Sequence, residues 1–335
     1  MAVEAGMTIG SRLRTQWHRP EVRDSILDNL IWLILAIALV GFSFIPGYFQ
    51  LPVFMSILVH SVFVGVLVIG ETLCLLTGNF DLSVESVLAF TAMFAAVLMG
   101  TKAPTPGWGI SPLIALPAML LMGASIGAFN GLCVAKLKIN PFIVTLATMI
   151  VLRGMTIVLT KSVAVIRMPD LYQDIANINI GPVSALVVIL LAMYAFFHFV
   201  TTRTLFGRKL FAVGGNQKAA FAFGLDPDKV IISAFILSGL LAAVAGWFMS
   251  ARVDAALPLL AQGMTFDVMA AAVIGGVSLQ GGRGSMIGAL GGVLLLGVIN
   301  AALTVGGVSP YWYNIVRGGV IFIAVGLDTL KRQLG

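Results

Sequence analysis

Residues 203–229 read RTLFGRKLFAVGGNQKAAFAFGLDPDK and lie between two long apolar runs, 183–202 and 230–250. The stretch carries Arg203, Arg208, Lys209, Lys218 and Lys229 against only Asp226 and Asp228. After the first apolar run, no other part of the chain is polar and basic for so long. Two membrane-length runs divided by a basic segment are the pattern of helices that cross a bilayer and return. Inside the stretch, Asn216 to Phe223 has helical composition (Gln217, Lys218, Ala219, Ala220, Ala222) between Gly214–Gly215 and Gly224. This predicts a short helix pinned between glycines.

Working outward, composition agrees. The 335 residues are 59% hydrophobic and 10% charged, with mean hydropathy +1.04; soluble domains carry about 25% charged residues. An integral membrane protein follows, and without strand-type alternation it is all-α rather than a barrel. The net charge of +6 sits beside apolar runs, as membrane orientation demands, and does not mark a nucleic-acid surface. Cys74 and Cys133 both lie in apolar runs and read as buried thiols.

Candidate spans are 28–46, 53–77, 82–100, 112–135, 141–160, 183–202, 230–250, 265–280, 284–304 and 311–330, about ten helices. Residues 1–27, with Arg12, Arg14, Arg19 and Arg23, read as a polar tail without a cleavage site; beside Trp17 they form an interfacial helix or stay free. The junctions GNFD (78–81) and QGGRG (280–284) separate their spans by almost nothing polar, so the adjoining spans are broken, re-entrant or full crossings.

Alternation from an inside N-terminus places fourteen basic residues inside: the four tail arginines, Lys136, Lys138, the five of 203–229, Arg283, Lys331 and Arg332. Four fall outside: Lys102, Lys161, Arg167 and Arg252. Both termini and the 203–229 loop are therefore expected to be cytoplasmic. The chain divides into a tail at 1–27, a transmembrane domain at 28–330 and a cytoplasmic end at 331–335. The longest outer segment, 161–182, has room for a short helix around Asp170–Ile175, and 251–262 lies on the same side.

A faint repeat relates GNFDLSVESVLAF (78–90) to GMTFDVMAAAVIGG (263–276), and SIGAFNGL (125–132) to LLGVINAAL (295–303). Five spans per half would make the halves inverted.

Six charges fall at or inside spans: Glu71, Asp81, Glu85, Arg153, Asp267 and Arg317. Such charges face protein or water and are functional candidates. Asp81, Glu85 and Asp267 read equally as caps at helix starts, the favoured reading for Asp81 and Asp267; Glu71, Arg153 and Arg317 pair across helices or lie shallow. Glycines crowd residues 275–297, either for static packing or for a sliding surface. The nearest match to a phosphate loop, Gly276 to Arg283, lacks its lysine and hydroxyl. His18, His60 and His198 are too scattered for a metal, and no triad is apparent, so no enzyme, cofactor or metal site is expected on this chain.

The segments FGRKLFAVGGNQKAA, LSGLLAAVAGWFMSARV, FDVMAAAVIGGVSLQGGRGSMIGALGGVLLLGVIN and VSPYWYNIVRGGVIFIAV, with TGNFDLSVES (77–86), resemble the permease subunit of bacterial ABC sugar importers of the ribose/xylose type. The resemblance covers about residues 50–330. Asn79 and Glu85 stand where that family usually has glycine. It implies a multi-pass inner-membrane protein that works with a second permease chain (the same or a paralogue), a cytoplasmic ATP-binding subunit holding ATP-Mg, and a periplasmic sugar-binding protein. Residues 203–229 then form the coupling loop, with Arg208, Asn216, Gln217, Lys218, Ala219, Ala220, Phe223 and Gly224 facing the ATPase. A neutral cargo fits a path lined by Asn79, Ser83, Asn130, Asn300 and Trp312, with Asp81, Glu85 and Asp267 as charged candidates. Alternatives are a related ABC permease for a signalling sugar, nucleoside or branched-chain amino acid, and an ion-coupled secondary transporter using Glu71 or Asp81.

Overall fold

The computed structural model describes residues 20–100 and 107–309, and single positions at 312, 315, 318, 319, 322 and 326. The tail before residue 20, Lys102, Arg317 and 331–335 lie outside the described residues.

The chain forms helices α1 (Pro20–Phe42), α2 (Leu51–Leu76), α3 (Val84–Met99), α4 (Pro112–Ala135) and α5 (Pro141–Thr160). A two-residue strand β1 (Val165–Ile166), the short helix α6 (Asp170–Asn177) and strands β2 (Asn179–Ile180) and β3 (Val183–Ser184) follow. Then come α7 (Ala185–Arg203), α8 (Leu205–Gly215), α9 (Gln217–Ala222), α10 (Pro227–Val253), β4 (Ala255–Ala256), α11 (Met264–Ile274) and α12 (Met286–Val305). Among the described residues, α2, α4, α5, α7, α10 and α12 are long and apolar enough to cross a membrane. The protein is an all-α membrane protein.

Two expected spans are shorter than a crossing requires. The segment 265–280 is helical only over Met264–Ile274, 11 residues, or about 16 Å against a hydrocarbon core of about 30 Å. It ends at Gly275, where a side chain would meet the Gly288 carbonyl, and the chain turns away at Gly276 with φ +87°. The segment 82–100 yields 16 helical residues. Both short helices are buried, so neighbouring helices rather than lipid satisfy their surroundings.

The helices α2, α10 and α12 bury more than half of their apolar windows, whereas α4, α5 and α7 bury a third or less. The central three form the core and the others ring it. Backbone approach is set by glycine. Gly123, Gly127 and Gly131 recur every fourth residue on α4, and side chains there would meet Gly239, Phe235 and Ile232 of α10. On α12, Gly288 and Gly292 press on α11 at Gly275 and Ala271 in the same way. In this arrangement the 275–297 glycines serve close packing.

Helix starts at the end bearing 203–229 are capped by side chains. Asn140 accepts from Phe142 N at 2.8 Å, Asp226 from Lys229 N at 3.2 Å and Ser285 from Gly288 N at 2.9 Å. The Lys229 N–H, then the Lys229 ammonium, hold the Asp226 carboxyl below its ordinary range. At the same end Asp228 binds Lys138 at 2.7 Å and Lys136 at 3.1 Å, joining the α4–α5 turn to α10.

The opposite end carries a small cap. β1 pairs with β4 antiparallel, Val165 with Ala256 and Ile166 with Ala255. Asp254, at φ 54°, accepts from Met168 N and Gln173 Nε2, both at 2.7 Å. Tyr172 shares a 2.6 Å bond with Ser250 Oγ, and Trp247 Nε1 donates to the Tyr172 carbonyl at 3.0 Å. Burial pushes the Tyr172 hydroxyl well above its ordinary pKa. The predicted outer helix around Asp170–Ile175 is α6, and it docks on the end of α10.

Candidate functional site

Four sets of residues carry chemistry, from the basic end of the bundle to the other. The first is the 203–229 segment. Its predicted short helix is α9, Gln217–Ala222, with the Asn216 side chain accepting from Ala219 N at 3.0 Å and Gly224 at φ +81°. The segment also holds a second helix, α8, that its composition does not announce. Thr204 caps it, and its buried side Gly207, Leu210 and Val213 docks it on the bundle. Arg208, Asn216, Gln217, Lys218 and Ala219 are exposed and Ala220 is buried beneath them. Phe221 and Phe223 stand 71% and 88% exposed beside these polar residues. Composition does not single out Phe221, since one phenylalanine in an alanine-rich helix carries no mark of its exposure.

The second set is a knot of glycines that joins this segment to the core. A side chain on Gly214 would strike the Leu76 carbonyl, one on Gly281 would strike Gly78, and one on Gly282 would strike Gly215. Gly282 N donates to Leu76 O at 3.1 Å. The α8–α9 corner thus touches backbone to backbone the end of α2 and the QGGRG junction that leads into α12, and QGGRG in turn touches Gly78 of GNFD.

The third set is a buried polar network at the start of α3. Asp81 Oδ1 accepts from Ser83 N at 2.9 Å and from Ser83 Oγ at 2.5 Å, and Oδ2 accepts from Ser238 Oγ at 3.0 Å. Both carboxylate oxygens of Glu71 accept from Asp81 N, at 3.3 and 3.2 Å. Asn130 donates to Ser83 Oγ at 3.0 Å and accepts from Thr148 at 2.7 Å. Asn79 turns back on Thr77, at 2.9 Å to its hydroxyl. Asp81 does hold the N–H that opens α3, but it also crosses to α10, which exceeds a local cap.

Glu85, in the first turn of α3, does not cap its own helix. Its Oε1 pairs with Arg153 of α5 at 2.9 Å, and its Oε2 accepts from Thr265 N, in the first turn of α11, at 3.1 Å. Arg153 pairs across helices.

The fourth set lines a cavity of about 690 Å³ toward the capped end. Its wall comes from the first half of α2, Met249 of α10, the 259–262 segment, the start of α11 and residues 293–305 of α12. Polar groups from His60, Ser61, Gln262, Asp267, Asn300 and Thr304 alternate with Ile57, Val64, Met249 and Leu296. No lysine or arginine lines it among the described residues.

The eight path candidates therefore separate. Asp81, Ser83 and Asn130 share the buried network, Asn79 turns back on Thr77, Glu85 joins the ion pair, and Asp267 and Asn300 face the cavity. Trp312 is 56% exposed. Ser238, Thr148 and Gln262 join these sets without a sequence signal, because nothing local distinguishes them from other polar residues in apolar helices.

Residues 53–325 match the family model described as branched-chain amino acid transport system / permease component. The chain is 36% identical to the ribose import permease protein RbsC of Escherichia coli over 312 residues, covering 91% of this chain and 94% of that protein. It is 36% identical over 302 residues to the D-allose transport system permease protein AlsC of the same species, covering 89% and 90%. With the fructose import permease protein FrcC of Rhizobium meliloti the identity is 32% over 313 residues, covering 90% and 85%. No solved structure matches it. On the match over 53–325 and these near-full-length relatives, the chain belongs to the family of ABC importer permease components.

Proposed function

We propose that this chain is the membrane-spanning subunit of an ATP-driven importer in the inner membrane and that its cargo is a monosaccharide or similar polyol. The observation that carries the cargo class is the cavity. Its lining mixes hydrogen-bonding side chains with apolar walls, and among the described residues no lysine or arginine contributes to it. A neutral polyol needs many directional hydrogen bonds and no ion pair. A zwitterionic amino acid would leave its carboxylate without a cation on this wall, at a cost of several kcal/mol. The relatives named for ribose, allose and fructose point the same way.

In this reading Asp267 and Asn300 contact cargo, and the Asp81–Ser83–Asn130 network holds the junction beneath the chamber. Residues 216–224 dock on a separate ATP-binding subunit, which holds ATP-Mg and performs hydrolysis; this chain is not an enzyme. The exposed Phe221 and Phe223, close together on the basic segment, support docking by offering apolar contact area beside the charges. A second permease chain completes the pathway, and a periplasmic binding protein delivers cargo to the face bearing α6. The proposed topology has ten membrane segments with the 1–27 tail, the 203–229 loop and the 331–335 end in the cytoplasm. Two of the segments, α3 and α11, enter from opposite sides as inverted counterparts. The opposed ends of α9 and the α6 cap support that sidedness.

The test is uptake of labelled ribose, allose and fructose by the assembled transporter carrying Asn300→Leu. Uptake should fall at least about tenfold, as expected when cargo hydrogen bonds are replaced by a bulkier apolar group, with unchanged amounts of inserted protein. Unchanged uptake excludes the cavity as the path.

A further inference from the structure

Arg153 has a role that its place in a membrane helix does not announce. Its Nη2 pairs with Glu85 at 2.9 Å, while its Nη1 donates to the carbonyls of Pro258 and Leu260 at 3.3 and 3.4 Å. Those carbonyls belong to the segment between β4 and α11 that contributes Leu259, Ala261 and Gln262 to the cavity wall. This segment has little regular structure of its own, and Ala261 sits at φ 59°, a left-handed conformation that an alanine adopts only under outside constraint. From the other side, Glu85 Oε2 accepts from Thr265 N and so fixes the start of α11, which bears Asp267. One ion pair thus holds both ends of the wall segment. Its side chains are 16% and 8% exposed, so little solvent competes for these donors.

We propose that Arg153 and Glu85 are positioning residues for the solute chamber: they hold residues 257–267 in the shape that recognises cargo, and thereby set how well the chamber accepts cargo released by the binding protein. The functional half of this inference rests on the cavity being the solute site; the positional half does not. The planar guanidinium is needed because it serves a carboxylate and two carbonyls at once, which an ammonium on a flexible stem does not reproduce.

Removing one partner alone strands a buried charge and invites unfolding. The decisive variant is therefore the double change Glu85→Gln/Arg153→Met, which removes both charges while leaving an amide oxygen for Thr265 N. It is compared with Arg153→Lys in the complete transporter. The first readout uses a reporter substitution, Leu260→Cys, in a background with Cys74 and Cys133 replaced by alanine. Position 260 is buried at 4% exposure in the native arrangement, and its labelling by a membrane-impermeant maleimide is followed. The second readout is uptake of ribose, allose and fructose. Labelling at position 260 is expected to quicken, and uptake at saturating loaded binding protein to fall about tenfold for the loss of two wall-holding hydrogen bonds, with ATP hydrolysis stimulated by the binding protein nearly unchanged. Arg153→Lys should fall between. Unchanged labelling overturns the positional claim, and quickened labelling with unchanged uptake overturns the claim that the wall recognises cargo. A wild-type transporter that moves none of the three sugars removes the cargo reading and the recognition claim with it, while labelling still decides the positional one.

Discussion

Asp81 is 1% exposed and accepts three hydrogen bonds, two from Ser83 and one from Ser238. A helix cap alone is worth about 1 kcal/mol. Removing this carboxylate also orphans buried donors at about 1–3 kcal/mol each. Asp81→Ala is therefore expected to cost more than a cap, roughly 2–4 kcal/mol, read as a lowered unfolding temperature in detergent. A loss near the cap value would reduce Asp81 to its local bond with Ser83. The sequence made the local half of this legible, since Asp-Leu-Ser before an apolar run is a helix start. The partner Ser238 lies 157 positions away, a separation no local pattern bridges. The same holds for Glu85: its spacing points to its own helix, and its hydrogen bonds serve another.

At the scale of elements, glycine decides which helices touch. A side chain on Gly127 would enter the Phe235 carbonyl, and both helices are long and packed, so neither yields easily. Gly127→Val should lower stability by about 1–3 kcal/mol or more through overpacking, seen as reduced folded yield; unchanged stability would mean that α4 and α10 are free to separate. The knot around Gly214 makes a different prediction, because it links α9 to the core without contributing to the cavity. Gly214→Val should leave insertion intact and uncouple nucleotide hydrolysis from uptake, as should Ala220→Pro, which deletes the bond from Ala220 N to Asn216 O. Coupled uptake retained in both variants would disprove transmission through this corner. Phe223→Ala should leave stability unchanged, given its 88% exposure, and weaken association with the ATP-binding subunit. The short helix is readable because its alanine-rich composition and glycine bounds are local signals; that Asn216 caps it is seen only in the structure. Its neighbour α8 is not readable, because its apolar residues are spread through a segment whose charges dominate the pattern.

For the whole molecule, composition settled the solvent and the helical class, since an apolar chain in lipid has few ways to satisfy its backbone. Hydropathy located the six long crossings within a few residues. It did not reveal that α11 stops after 11 residues, because the apolar run continues past the point where Gly275 and Gly276 end the helix. The cavity was equally invisible: His60, Gln262, Asp267 and Asn300 come from separate regions of the chain and meet only when α2, α11 and α12 pack.

In the proposed mechanism, energy enters at residues 216–224 and cargo passes near the cavity at the other end. The most direct measurement is sugar uptake into proteoliposomes holding the assembled transporter and its binding protein, with Mg-ATP on the ATPase side, or with an ion gradient alone. Uptake of ribose, allose or fructose is expected to require ATP and to be abolished by Ala220→Pro, in keeping with entry of energy through this loop. Uptake driven by the ion gradient in liposomes containing this chain alone would contradict it.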